Sequence, residues 1–232
     1  MKIIKNSVDL KKELKNNHNL GFVPTMGSIH RGHEYLISRS IKECKKTLIS
    51  IFVNPTQFNN KKDLKNYPRN IKKDLSILNR LKVDYVFIPK VKDIYNSERK
   101  KKIKLNKNDL VLCAKYRKGH FEGVLDVMDR LTKLISPTKI FMGEKDYQQY
   151  HLVKKRIKLK YNVKVIKCKT IRSSNKVALS SRNFLLNKKD ILVAEKVYKE
   201  LIKIKKNIFK TGKINQFLKF KRKDLIKKYK IK

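Results

Sequence analysis

Leu20-Gly21-Phe22-Val23-Pro24-Thr25-Met26-Gly27-Ser28-Ile29-His30-Arg31-Gly32-His33 is the stretch that decides the fold. Leu20 to Val23 is an apolar run of strand length, and it reads as the first strand. Gly32 to Lys45 carries helical spacing, with Leu36, Ile37, Ile41 and Cys44 on one face. A strand feeding a helix through a short turn opens a β-α-β unit. The turn holds two glycines, Gly27 and Gly32, and two histidines, His30 and His33, at the start of the helix. Backbone N–H groups and the helix dipole favour an anion at such a point. Imidazoles placed there can donate to phosphate oxygens as negative charge develops on them, and glycine lets the backbone approach a nucleotide closely. Two incidental surface histidines are the bland alternative, and it suits one lone histidine better than His-x-Gly-His at the end of a strand.

Outward from this turn, the same alternation repeats. Thr47 to Val53 reads as a second strand, apolar on both faces and therefore central. A helix after Pro68 is expected to bury Ile71, Leu75, Leu78 and Leu81, with the proline near its first turn. Val83 to Ile88 reads as a third strand, and residues 90–108, basic and broken in pattern, as an exposed excursion. Phe121, Val124, Leu125, Met128, Leu131 and Ile135 mark an amphipathic helix closed by Pro137. Lys139 to Met142 and Val163 to Cys168 read as strands around a helix from Asp146 to Lys160. The pattern predicts an α/β class, a Rossmann-like doubly wound parallel sheet. Two lysine-rich helices follow, over residues 188–206 and 214–229. The break near residues 169–177 divides the expected nucleotide-binding domain, 1–170, from a short, mainly helical one, 171–232.

Composition bounds the function. Hydrophobic residues make up 40% of the 232 positions, which supports a packed core rather than a disordered chain. No apolar run approaches the roughly 18 residues of a membrane span, and the N-terminus lacks a secretory pattern. Cys44, Cys113 and Cys168 are far apart and form no zinc motif. These features predict a soluble, reduced, cytoplasmic protein with no membrane partner. The formal charge is +42, from 61 Lys+Arg against 19 Asp+Glu. A nucleic-acid surface would produce such an excess, and so would compositional drift toward lysine. Lysines occur in nearly every block of ten instead of one patch, which favours drift. No specific nucleic-acid site is expected, only non-specific attraction to polyanions, ATP included.

Three further segments can carry chemistry. Asn54 and Gln57 follow the second strand, at the edge where open α/β sheets bind ligands. Their amides suit the hydroxyl and carboxylate of a small acid, or they only satisfy the turn backbone. Gly143-Glu144-Lys145-Asp146 joins a strand to a helix. Lys145 can neutralise polyphosphate, and Asp146 can cap the helix, contact a ribose hydroxyl or organise hydrated Mg²⁺. Gln149 lies one turn on, facing the same mouth. Leu179-Ser180-Ser181-Arg182 offers hydroxyls and a guanidinium on a loop, good phosphate ligands unless the loop is an ordinary turn.

In this order, Phe22 to His33, Ser50 to Phe58, Tyr67-Pro68-Arg69, Gly119-His120-Phe121, Gly143 to Gln149 and Leu179 to Asn183 closely resemble the pantothenate synthetase (pantoate–β-alanine ligase) family. That family lies in the nucleotidyltransferase superfamily and shares its histidine motif with class I aminoacyl-tRNA synthetases. The resemblance spans about residues 1–210. It implies that ATP, carried as its Mg²⁺ complex, activates pantoate as an adenylate, which β-alanine then attacks, with no prosthetic group. Met26, Gly27, Ser28, Ile29, His30, Arg31, Gly32 and His33 match the family's ATP motif, and His33 its proton donor. Gly143, Glu144, Lys145, Asp146, Ile171, Leu179, Ser180, Ser181 and Arg182 complete the implied nucleotide site. Of these, His30, His33, Lys145 and Arg182 carry the implied catalysis. Gln57 and Gln149 match the pantoate ligands, and Gln57 also lies near β-alanine in the family. The resemblance further suggests a homodimer.

The chain departs from the family pattern at several points. Lys118 stands where the family usually has proline, Asp126 and Asp129 where it has threonine or small apolar residues, and Lys176 where it has glycine. The small sheet that usually completes the family's C-terminal domain has no counterpart here, so closure, rate and dimerisation are where a difference is expected. Two other functions stay open at this point: a related ligase for another acid or amine, and a nucleic-acid-binding protein without catalysis.

Overall fold

The computed structural model describes residues 1–95, 103–210 and 212–230. They form two compact units, Met1–Thr170 and Ile171–Lys232. In the first, β1 (Lys2–Ile4), α1 (Ser7–Leu14), β2 (Leu20–Thr25), α2 (Arg31–Glu43) and β3 (Lys46–Ile51) come first. Then follow α3 (Lys61–Lys65), α4 (Ile71–Arg80), β4 (Tyr85–Phe87), α5 (Val91–Ile94) and α6 (Cys113–Tyr116). The unit closes with α7 (His120–Ile135), β5 (Lys139–Gly143), α8 (Tyr147–Lys160) and β6 (Lys164–Cys168). The expected excursion over 90–108 is described only at its ends, and residues 96–102 lie outside the described residues.

All strands pair in parallel, in the order β1-β4-β3-β2-β5-β6. The chain therefore winds outward from β2 through β3 to β4, then returns to the other side of β2 for β5. That reversal makes the carboxyl ends of β2 and β5 the topological switch point, where such sheets open a ligand crevice. The doubly wound α/β fold expected from the sequence is the fold observed. Alternate residues of β2 serve opposite layers: Phe22 packs with α1, α7 and α8, and Val23 with α2 and α4. Both are fully buried, and each such side chain contributes about 1.5–3 kcal/mol.

Several expectations need correction. Leu20 does not begin the first strand, because Lys2–Ile4 precedes it and pairs with β4 at the sheet edge. Helix α2 buries Leu36, Ile37 and Ser40, while Ile41 faces solvent. Helix α4 buries Asp74 and Leu78, and Ile71 is exposed. Its cap is Asn70, whose side chain accepts from Lys73 N–H at 3.0 Å, so Pro68 lies before the helix instead of in its first turn. All six apolar residues expected on α7 are buried.

Asp126 and Asp129 find cationic partners. Asp126 pairs with Arg130 at 2.9 Å, one turn along α7. Asp129 reaches across to α8, meeting Arg156 at 3.2 Å and Lys160 at 2.7 Å. Burial pushes the Asp129 carboxyl up, but those two cations outweigh it and hold it below its ordinary value.

The second unit holds α9 (Lys188–Asn207), capped by Asn187, and α10 (Ile214–Tyr229). In the loop before them, Lys176 has φ 63°. That left-handed backbone costs a residue with a Cβ about 1–2 kcal/mol and gives a physical reason for the family's usual glycine.

Candidate active site

The β2–α2 turn is built around two consecutive left-handed residues, Gly27 (φ 79°) and Ser28 (φ 52°). A Cβ on Gly27 would lie 2.9 Å from a carboxylate oxygen of Asp74, so the position requires glycine on both counts. The backbone N–H groups here are largely spoken for. Gly27 N–H donates to Thr25 Oγ1 at 3.1 Å. Ser28 N–H and Ile29 N–H donate to the two oxygens of Asp74, at 2.9 and 2.7 Å. Gly32 N–H donates to His30 Nδ1 at 3.0 Å. The amides of Gly27, Ser28, Ile29 and Gly32, expected to face a phosphate, are thus engaged by Thr25, Asp74 and His30 in this structure.

Asp74 is the functional-site residue that sequence reading missed. It is 1% exposed, on the buried face of α4, and its carboxylate ties two amides of the turn from more than forty residues away. A buried charge must be hydrogen-bonded to persist. The only signal was an acidic residue at helical spacing from Leu78.

His30 is the N-cap of α2. Because its Nδ1 accepts from Gly32, the neutral ring carries its proton on Nε2, which leaves an N–H to donate. The His33 ring lies 4.0 Å from it, centroid to centroid. Its buried Nδ1 has no hydrogen-bond partner among the described residues. Burial, with the Lys145 ammonium second, lowers His30 to about 4. Burial, then His30, then Lys145 lower His33 to about 3. Both rings are neutral near pH 7.

Lys145 acts on both histidines from the β5 side of the switch point, and its ammonium also meets Asp146 at 3.4 Å. Asp146 occupies the N-cap position of α8 without a side-chain capping bond, so that part of its expected role is corrected. Glu144 pairs with Lys167 at 2.8 Å. Gln148 donates to Asp109 O and Val111 O ahead of α6 and accepts from Ala114 N–H within it. Gln149 beside it is half-buried and makes no such bond. Among the described residues, no group of three His, Cys, Asp or Glu side chains converges to hold a metal.

The turn after β3 is neutral and saturated. Asn54, 1% exposed, accepts at Oδ1 from Thr56 N–H (3.4 Å), Thr56 Oγ1 (3.1 Å) and the Tyr95 phenol (2.7 Å). Its Nδ2 donates to Gly123 O at 3.2 Å and Gln57 Oε1 at 3.1 Å. Asn54 thus satisfies the turn, the second of the two roles open to it in the sequence. Gln57 keeps its Nε2 for donation, resting 3.1 Å from Met26 Sδ, a weak acceptor. Helix α7 seats this turn. His120 Nδ1 meets Gln57 O at 2.7 Å, and a Cβ on Gly123 would fall 2.4 Å from Thr56 O. Tyr67 packs edge-on against Phe58 at 5.6 Å.

Ile171, Leu179, Ser180, Ser181 and Arg182 belong to the second unit. There Leu179 N–H donates to Ile171 O at 3.0 Å, and Ser180 Oγ accepts from Arg182 N–H at 3.3 Å. The Ser180 hydroxyl thus already serves the loop's own turn.

The pantoate-beta-alanine ligase family profile matches residues 2–231. The pantothenate synthetase of Pseudothermotoga lettingae is 39% identical over 219 residues, covering 93% of this chain and 78% of that protein. That of Helicobacter acinonychis is 41% identical over 192 residues, 81% and 70% of the two chains. Among solved structures, the enzyme of Thermus thermophilus is similar at TM-score 0.90 and 31% identity, covering 98% of this chain and 82% of that one. The pantoate-beta-alanine ligase of Francisella tularensis, complexed with beta-gamma ATP and beta-alanine, gives TM-score 0.82 at 40% identity over 86% and 78%.

Proposed function

This chain belongs to the pantoate-beta-alanine ligase family, and on that premise we propose that its two switch-point turns divide the work between nucleotide and acid. The reaction is the ATP-dependent condensation of pantoate with β-alanine. We assign it an adenylate route. A pantoate carboxylate oxygen attacks the α-phosphorus of ATP, and pyrophosphate leaves. The β-alanine amine then attacks the acyl carbon, and AMP leaves with the carbon–oxygen bond pair.

The observation that carries the division is the pair of neutral, contiguous histidines under the field of Lys145, beside a turn whose free donor is an amide. Charge develops on phosphate oxygens as pyrophosphate departs, and preorganised donors act most strongly there. His30 and His33 serve as those donors, and the triphosphate's negative charge raises their affinity for a proton as it binds. Lys145 neutralises the polyphosphate. Gln57 and Gln149 bind pantoate, and Gln57 also lies on the path of β-alanine. In the second unit, two hydroxyls and a guanidinium, Ser180, Ser181 and Arg182, have the chemistry of phosphate ligands. Mg²⁺ belongs to the substrate and arrives on ATP, where Asp146 offers one carboxylate. A cytoplasmic homodimer is the setting that the family resemblance suggests. Among the described residues no helix is long and apolar enough to cross a membrane.

Product analysis with pantoate, β-alanine and MgATP, leaving each out in turn, tests the reading. Pyrophosphate release should require pantoate, and pantothenate should also require β-alanine. Pyrophosphate released without pantoate would reject the acid assignment.

A further inference from the structure

The amide of Asn54 can sit only one way. Thr56 N–H can only donate and Gly123 O can only accept, so Oδ1 faces the first and Nδ2 the second. With that orientation fixed, the second Nδ2 hydrogen goes to Gln57 Oε1, and the Gln57 Nε2 lies on the side of the β2 turn, 3.1 Å from Met26 Sδ. The shortest bond holding Asn54 is the 2.7 Å donation from the Tyr95 phenol. Tyr95 follows α5 directly and is itself clamped by α7. The Arg130 guanidinium lies over its ring at 4.8 Å, donates to Ile94 O at 3.1 Å, and is braced by Asp126 at 2.9 Å.

We propose that Tyr95 is a positioning residue for the acid: through Asn54 it fixes the Gln57 amide with its N–H toward the pantoate oxygens. The inference rests on Gln57 binding pantoate. Tyr95 acts through Asn54: its donation is the shortest bond on an amide that Thr56 N–H and Gly123 O already orient, and it holds that amide, and Gln57 with it, in place. A carboxylate accepts and never donates, so a flipped Gln57 would meet it oxygen to oxygen.

The test is steady-state kinetics on the full-length enzyme and on Tyr95→Phe, Gln57→Ala and the double variant. Tyr95→Phe should raise the pantoate KM about 3- to 10-fold, the worth of one neutral hydrogen bond, with kcat and the ATP KM within about twofold. In the Gln57→Ala background the same substitution should change nothing further. Arg130→Gln, which removes the cation over the ring, should move the pantoate KM the same way by about two- to fivefold. It carries the test if Tyr95→Phe does not fold. An unchanged pantoate KM in Tyr95→Phe, a parallel loss in ATP KM, or an effect that persists without Gln57 would each overturn the relay. A Gln57→Ala variant with normal pantoate KM would instead overturn the assignment of Gln57, a separately visible result.

Discussion

Two neighbouring turns, at the ends of β2 and β3, solve opposite problems. The β2 turn brings two histidines within 4.0 Å of each other and keeps both neutral, with one buried nitrogen unpaired. The β3 turn leaves nothing unpaired at its centre: all of Asn54's donors and at least three of its acceptor contacts are used. The first turn is poised to respond to charge, and the second to hold shape. In the proposed division, a triphosphate brings several charges that buried imidazoles can answer, whereas a small hydroxy acid brings one carboxylate and a hydroxyl whose placement a rigid amide can read. The contrast teaches that unsatisfied polar atoms and saturated ones can lie side by side at one sheet edge because different bond-making tasks fall to each.

Removing the charge-responsive element should break the comparison most severely. His33→Ala is expected to slow pantoate-dependent pyrophosphate release by about 10²–10³-fold, as loss of a transition-state donor does. An unchanged burst in quench-flow would take His33 out of the chemistry. Next comes the brace of that turn. Asp74→Asn leaves one of the Ser28 and Ile29 amides facing an NH₂ group. It should cost about 1–3 kcal/mol in urea unfolding and raise the ATP KM roughly tenfold, with the pantoate KM unchanged. Equal rises in both KM values would mean that the two turns are not separable. The smallest effect sharpens the contrast through pH. Both histidines are held below their ordinary 6.5. Below that pH the unfolded chain therefore binds more protons than the folded one. Their contribution to stability is whole above about 6.5 and is lost as pH falls toward about 4 and 3. Between pH 6.5 and 5 each should withdraw about 1–2 kcal/mol, and His33→Gln should remove its share of that slope in denaturation curves taken across the range.

The parts that were legible in the sequence were those with a local rhythm. β2 and β3 are apolar on both faces, and α7 repeats its buried residues at helical spacing, so burial and pattern agree. The histidine turn was visible because its residue types are uncommon together at a strand end. What stayed hidden depended on partners distant in the chain. Lys2–Ile4 is three residues long and is a strand only because β4 lies beside it. The role of Asp74 depends on a turn more than forty residues earlier in the chain, which no local pattern shows. Asn54 and Gln57 have the same chemistry in sequence, and only the contacts with Tyr95 and Gly123 show that Asn54 is committed to its turn. Ile41 and Ile71 do not follow the expected pattern because small or polar side chains, Ser40 and Asp74, occupy the buried face instead.

The strand order also sets a timetable. β2 pairs with β5, whose partner residues, Lys139 and Ile140, lie more than a hundred positions further along the chain. On a ribosome β2 therefore waits, one side uncovered, until most of the first unit has emerged, and parallel pairings of such span form slowly. β3 and β4 can join it earlier, so the turn after β3 has its strand neighbours before the turn after β2 does. Ligand-induced protection of nascent chains should accordingly appear only after Gly143 clears the exit tunnel, and an ATP analogue would act as a late-stage pharmacological chaperone rather than as a folding nucleus.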